Sequence, residues 1–488
     1  MKSGFNSQCM PSYRLLTIEQ IKELHTASLE ILETIGVKLD HEEAVQMLAD
    51  AGCKVKNNDQ VFIPNWLVEE CINSAPSGII VYNQIGEEAL RLEGRNAYYG
   101  MGTDLPKTWD LETGELRQST LKDVKNNAII ADYLDDIDFI GSMALPYDVP
   151  TNSMYIESFR TELENSNKPI FYTAAAREDS AIIIEMAEAV AGGEAELQEK
   201  PFLINYSEPL SPLSHSFGAL QKLFLCAEKR LPVCYTPAML SGASGPVTLA
   251  GAIATANAEA LSGIVIHQLK QKGAPIISGF IVCTMDMATS TATYATPEQQ
   301  LTKSACTDIF HYYDLPVWST SGSDSNTFDQ QAGLENSIHI LLSGLDGANL
   351  IHDIGFLGQG LICSPVSLVI CSEYIRYAKR ILRGFEINKD SLAIDIIRKV
   401  GSGGNFIAED HTAEYLRSEH FIPQLLCRQD SETWISNGGK TLWEKATEEA
   451  KNILATHIPV SKSFEVIERL MSLSRRAEKE LAGISFTA

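Results

Sequence analysis

The sequence has no CxxC pair, no GxGxxG, no P-loop and no surplus of positive charge. Each absence removes a class of function. Ten cysteines scattered without paired spacing read as reduced thiols rather than a disulfide framework, and so as a cytoplasmic protein. A net charge of −24, from 63 acidic and 39 basic residues, argues against nucleic acid and anionic membranes, which both demand a basic face. The first residues, "MKSGFNSQCMPSYRLL", hold no apolar signal core, and no stretch of roughly 20 apolar residues reads as a membrane span. Lacking both nucleotide fingerprints, a doubly wound open sheet is only the second choice of fold.

What remains is a globular composition, 44% apolar and 21% charged over 488 residues, without tandem repeats or low-complexity tracts. The chain opens on a helix: Thr17 and Gln20 form a capping box ahead of Ile21, Leu24, Ile31, Leu32 and Ile35, and Gly36 stops it. A second helix, about 41–51, follows, and the segments up to residue 95 close a small amino-terminal helical and strand layer. From there short apolar runs alternate with helix-length segments: "AYYGM" (97–101), "FIGSMAL" (139–145), "PIFYTA" (169–174), "FLINYS" (202–207), "PVCYTP" (232–237), "PIISGFI" (275–281), "PVWSTS" (316–321) and "NLIHDI" (349–354). Eight strand–helix units predict an α/β fold, a (β/α)8 TIM barrel over 96–385, with 386–488 as a carboxyl-terminal extension packed on it. Thr296, Pro297 and Gln299 give one barrel helix a clear start.

Barrel chemistry sits where strands end. Those positions hold Tyr98, Tyr99, Tyr172, Tyr206, Glu208, Tyr235, Cys283, His352, Asp353 and Phe356 among others, with no Lys or Arg. Aromatic faces without cations suit a quaternary ammonium, which has no N–H to donate and is attracted by ring quadrupoles at about 0.5–2 kcal/mol each. The same tyrosines also suit simple core filling with hydroxyls reaching water. Glu259 stands alone in the apolar run 246–267, with small residues Ala252, Thr255, Ala256, Ser262 and Gly263 on its helical face. It reads either as a fixed charge lining a cation pocket or as a carboxylate satisfied by backbone donors or an Arg. Cys234 and Cys283 lack zinc-ligand spacing. The long small-residue loop "CTMDMATSTATYATPEQQ" suits a lid, and Asp324, in "SGSDSNTFDQQAGLE", reads as a substrate ligand or as an N-cap.

Five stretches together resemble the trimethylamine methyltransferase superfamily: "LTIEQIKELHTASLEILETIGV", "MAEAVAGG", "PVTLAGAIATANAEALSGIVIHQL", "SGSDSNTFDQQAGLE" and "GGNFIAEDHTAEYLRSEHFIPQLLCRQ". The resemblance runs from about residue 13 to 480. It implies a TIM barrel that passes a methyl group from an amine to the Co(I) of a corrinoid carried on a separate protein. Founding members carry pyrrolysine in the barrel. This chain has standard residues only, so it resembles the branch whose members demethylate quaternary amines such as glycine betaine, proline betaine, carnitine or γ-butyrobetaine. Ala288, in "DMATS", stands where an Arg is expected, which weakens any anion-binding role of that loop.

A quaternary nitrogen leaves as a neutral amine and needs neither proton nor metal, so no tightly bound metal is expected. The expected site has Glu259 setting the field, Tyr98, Tyr99, Tyr206, Tyr235 and Phe356 caging the cation, and His352, with Asp324, helping to hold the substrate. A homo-oligomer is expected. Two other readings stay open: a non-catalytic binding protein for quaternary ammonium, and a zinc-dependent corrinoid methyltransferase.

Overall fold

A computed structural model of the chain describes residues 10–481. Eight short strands close into one ring: β1 (Tyr98–Tyr99), β2 (139–140), β3 (Ile170–Tyr172), β4 (Leu203–Ser207), β5 (Val233–Tyr235), β6 (Ile276–Ser278), β7 (Trp318–Thr320) and β8 (Leu350–His352). Every neighbouring pair is parallel, and β8 returns to β1 through Leu350 opposite Tyr98 and Ile351 opposite Tyr99. Each strand feeds one outer helix: α1 (Leu121–Tyr133), α2 (Met154–Asn165), α3 (Arg177–Ala191), α4 (Phe217–Lys229), α5 (Leu249–Lys270), α6 (Pro297–Tyr312), α7 (Gln330–Asp346) and α8 (Pro365–Leu382). This is the TIM barrel predicted from the alternation of apolar runs. Thr296 caps α6 by accepting from the Gln299 N–H, with Pro297 in the first turn.

Strand residues alternate between the barrel interior and the helix layer. Phe139, Phe171, Ile204, Cys234, Ile277, Trp318 and Leu350 form the interior cluster. Its floor is sealed by an antiparallel hairpin, Ile79–Tyr82 with Glu88–Leu92, whose Ile79, Val81, Leu90 and Leu92 pack up into the ring.

Ahead of this hairpin, the helices Ile18–Thr34 and Asn65–Ser74 lie against α5. The Thr17–Gln20 capping box is formed at the start of the first. Helix α5 is therefore sandwiched between barrel and amino-terminal layer, which explains why its 22 residues are apolar on nearly every face. Its length and composition would also let it cross a membrane, contrary to the expectation from sequence, but most of it is buried inside the protein. The strand Val37–Leu39 pairs with Gln60–Phe62 and accepts a further strand, Ser214–His215, from the β4–α4 loop.

Two small sheets crown the barrel's carboxyl-terminal end. One joins Lys107–Trp109, Leu116–Gln118 and Ile362–Cys363; the other joins Ala238–Ser241, Ile281–Asp286 and Thr291–Ala292. The segment expected to be a lid is thus a β-hairpin paired to its neighbour. Beyond α8, helix Leu442–Thr456 packs on α8 and α1, and Phe464–Glu480 packs on α3 and α2.

The outward face of β5 generates a test. A Cβ on Gly263 of α5 would fall 2.5 Å from Cδ1 of Tyr235, so the ring needs this glycine. Gly263→Ala should lower stability by about 1–3 kcal/mol through overpacking, seen as a lower urea midpoint. An unchanged midpoint would contradict the outward placement of Tyr235.

Candidate active site

The alternation that builds the barrel separates the expected cage. Tyr98 points inward but sits at the floor, its hydroxyl accepting from the Arg91 N–H at 3.1 Å. Tyr99, one residue on, faces the helices and donates to the Ile340 carbonyl at 3.0 Å. Tyr235 also faces outward, its hydroxyl 2.8 Å from His215 Nδ1 and its ring stacked on the imidazole. None of the three reaches the mouth, so only Tyr206 and Phe356 of the expected cage stand there.

Glu259 is displaced from its expected role for the same reason. It lies on α5, outside the barrel wall, accepting from the Ser211 hydroxyl at 2.6 Å and the Leu213 N–H at 2.8 Å. These bonds hold the β4–α4 loop, and His215 is held beside them, its Nε2 2.8 Å from Ser262 Oγ. Glu259 thereby anchors this loop. Burial pushes its pKa up to about 7, against the opposing pull of the Ser211 and Leu213 donors.

The barrel's upper layer is aromatic nonetheless. His352 sits among three rings: Phe171 at 5.0 Å, Trp318 at 5.0 Å and Tyr206 at 5.4 Å between centroids. Tyr206 stacks on Trp318 at 6.1 Å and tilts against Phe171 at 5.1 Å. Burial drives the His352 pKa down to about 3, so the imidazole is neutral. Its Nδ1 lies 3.1 Å from Asp353 Oδ2 without the alignment of a hydrogen bond. Among the described residues, the Trp318 indole N–H has no hydrogen-bond partner.

Carboxylates flank this layer on two sides. On one, Asp353 accepts from the Tyr294 hydroxyl and, at 2.6 Å, from Thr320 Oγ1. Burial raises its pKa to about 7. Asp324 accepts from the Tyr294 and Ala295 N–H groups at 2.6 and 3.1 Å, fixing the loop that delivers Tyr294. It is not the N-cap of α7, which is Asp329. Phe356 sits beside Gly102, where a Cβ would come within 2.4 Å of Phe356 Cζ and 1.9 Å of Asp353 Oδ1. Only glycine lets the segment after β1 pass this close.

On the other side a cavity of about 850 Å³ opens above β3 and β4, lined by Asp104, Tyr155, Thr173, Tyr206, Glu208 and Lys222 among others. Tyr206 donates to Glu208, and Thr173 donates to Asp104 at 2.5 Å. Glu208 is exposed to the cavity, yet the protein around it still raises its pKa, as burial does for Asp104. Lys222 comes from α4 and donates to the Ala174 carbonyl at 2.8 Å. Lys303, from α6, donates to the Thr320 carbonyl at 2.9 Å. Amino groups absent from the strand-end sequence thus arrive on helices, and burial lowers the pKa of both, that of Lys303 to about 7.

Among the described residues, no three His, Cys, Asp or Glu side chains converge as metal ligands. Burial pushes the Cys283 thiol up to about 12 and the Cys234 thiol well above its ordinary value, so neither favours the thiolate a metal would take.

An eight-stranded barrel with rings, carboxylates and a lysine gathered where its strands end has the arrangement of a barrel enzyme. The family model described as trimethylamine methyltransferase (MTTB) matches residues 3–479. Trimethylamine methyltransferase MttB of Desulfitobacterium hafniense (strain DSM 10664 / DCB-2) is 32% identical over 467 residues, covering 95% of this chain and 93% of that one. Glycine betaine methyltransferase of D. hafniense (strain Y51) is 29% identical over 477 residues, covering 97% and 99%. The crystal structure of the Methanosarcina barkeri monomethylamine methyltransferase (MtmB) superposes with a TM-score of 0.53 at 9% identity, covering 100% of this chain and 91% of that one, a likeness of fold. The chain belongs to the trimethylamine methyltransferase family and is a methyltransferase.

Glu259 gives a pH test. Because its folded pKa of about 7 lies above the ordinary 4.5, its stabilising contribution is complete below pH 4.5 and is lost as pH rises to about 7. That loss is about 3 kcal/mol. Glu259→Gln keeps an acceptor for Leu213 and a polar partner for Ser211 without the titration. Urea unfolding between pH 4.5 and 7 should fall less steeply for the variant; parallel profiles would contradict the assignment.

Proposed function

We propose that this methyltransferase moves a methyl group from a quaternary amine, glycine betaine or a related betaine, to the Co(I) of a corrinoid carried by a separate protein. The observation that carries the reading is the layer of Phe171, Tyr206, Trp318 and His352 at the barrel mouth, with carboxylates beside it. Rings attract a permanent cation that offers no hydrogen-bond donor.

Cobalt, when presented by the partner, supplies the nucleophile. The task left to this chain is to hold one N–CH3 bond in line with the acceptor and to exclude water. Positive charge leaves the nitrogen during transfer, so a carboxylate clamped on the cation would favour the ground state. Glu208 avoids this, because Tyr206 donates to it and spreads its charge. The departing amine is neutral and needs no proton, so the neutral His352 and its ring neighbours are sufficient surroundings. The exposed side chains of Leu210 (58%) and Phe217 (53%) at the cavity edge form an apolar rim suited to a docking corrinoid protein.

One feature supports a betaine over trimethylamine itself. Lys222 and the first turn of α4 lie on the same cavity as Tyr206 and Glu208, a short reach from the rings and a place for a substrate carboxylate.

The direct test incubates the protein with Co(I) cobalamin and a panel of betaines and follows the spectrum for methyl-Co(III). At least one betaine should respond, and Tyr206→Leu should lower kcat/KM about tenfold or more. Binding without methyl transfer would leave a non-catalytic binding protein. Lys222→Met should raise KM about tenfold for a betaine and leave a cation without a carboxylate, such as tetramethylammonium, unaffected. Equal changes for both would contradict the orientation.

A further inference from the structure

The hydrogen bonds around Asp353 leave one polar atom out. His352 Nδ1 is buried and has no hydrogen-bond partner among the described residues, although Asp353 Oδ2 lies 3.1 Å away. A buried imidazole nitrogen this close to a carboxylate ordinarily pairs with it. Here the oxygen is already taken. Tyr294 donates to Oδ2 from the β6–α6 hairpin, and Thr320 Oγ1 donates to it from β7 at 2.6 Å. A carboxylate oxygen has two lone-pair sites, so these two donors fill it.

Both donors are held from behind. The Tyr294 ring lies against Gly322, where a Cβ would fall 3.0 Å from its Cδ1 and Cε1, and Asp324 fixes its backbone N–H. Thr320 is tied through its carbonyl, which accepts from Lys303 at 2.9 Å. Asp353 itself takes a left-handed φ of 66°, a conformation that a non-glycine residue keeps only where its surroundings impose it. Its other oxygen, Oδ1, sits in the space that Gly102 leaves open. The other ionisable groups around the pair are Tyr206 and Glu208 from β4, Cys234 from β5, Cys283 from the hairpin and Lys303 from α6. Burial holds the imidazole at about 3, and a hydrogen-bonded carboxylate is the partner that would raise it.

We infer that Tyr294 is a positioning residue that keeps His352 uncharged: with Thr320 it fills Asp353 Oδ2, and so prevents an imidazolium–carboxylate pair from forming inside the ring layer. With the hydroxyl removed, Nδ1–H donates to the freed lone pair, and Nε2 then takes a proton from solvent. The His352 ring stands 5.0 Å from Phe171 and Trp318 and 5.4 Å from Tyr206, so the new charge would sit among the rings and repel an ammonium there. That consequence rests on the function proposed above; the ionisation of His352 does not.

Isotope-edited magnetic resonance spectra of the histidine ring nitrogens in the full chain test the ionisation without any substrate, with His352→Gln to assign the resonance. The parent should keep a neutral His352 ring from about pH 8 to about pH 5.5. Tyr294→Phe should give a ring that takes up a proton over that range, and Thr320→Val, which frees the same oxygen from β7, should do the same. Adding Asp353→Asn to Tyr294→Phe should return the ring to neutral. Over the same range the KM for a betaine should rise about tenfold more in Tyr294→Phe than in the parent. A ring that stays neutral in both Tyr294→Phe and Thr320→Val, or that already titrates in the parent, would overturn the inference. A parent that demethylates no betaine would instead overturn the proposed function and leave the spectra to decide this one.

Discussion

Ring packing inside the barrel is the interaction on which the rest of the site depends. Phe171, Tyr206, Trp318 and His352 come from four strands and meet only because the closed sheet brings their inward faces to one level. They fill the upper interior, so the layer is both the last of the core and the first of the site. A protein interior tolerates little vacant volume. This is why the cavity lies beside the rings, above β3 and β4, and not down the barrel axis.

The outer layers serve this arrangement at a distance. Helix α5 is covered by the amino-terminal helices on its far side, and its lone carboxylate reaches the β4–α4 loop instead of the pocket. That loop carries Glu208, Leu210 and Ser216 to the cavity edge. Asp324 plays a matching part opposite, holding the backbone that presents Tyr294 to Asp353. Two carboxylates singled out in the sequence each hold a loop, while Glu208 and Asp353 lie beside the ring layer.

The barrel was legible because each strand is a short apolar run bounded by turn residues, and period-two and period-3.6 patterns are local properties. Caps at Thr17 and Thr296 were legible for the same reason. The site was less so. Tyr98 and Tyr99 are neighbours in sequence, yet one faces the floor and the other a helix, and register across the ring is not a local property. Phe171 and Trp318 could have been found by stepping the inward phase from Tyr206 around the barrel. No sequence signal marks Lys222 or Lys303, because a lysine on an amphipathic helix looks like any solvated one. Glu259 was correctly singular, but its partners, the Ser211 hydroxyl and the Leu213 N–H, lie 48 and 46 residues away, and a serine or a backbone N–H carries no mark of such a bond in the sequence.

Charge state ties these parts together. Desolvation by the surrounding protein raises Asp353, Asp104 and the cavity-facing Glu208 above ordinary carboxyl values, and donors from Tyr294, Thr173 and Tyr206 temper each in turn. The result is a diffuse negative field over aromatic faces, matched to a cation that surrenders its charge as it reacts. Calorimetric comparison of glycine betaine with its uncharged isostere, in which a tert-butyl group replaces trimethylammonium, isolates that claim. The account predicts binding at least about tenfold weaker for the isostere, from the loss of ring–cation attraction; equal affinity would mean that the mouth recognises shape alone and would contradict it.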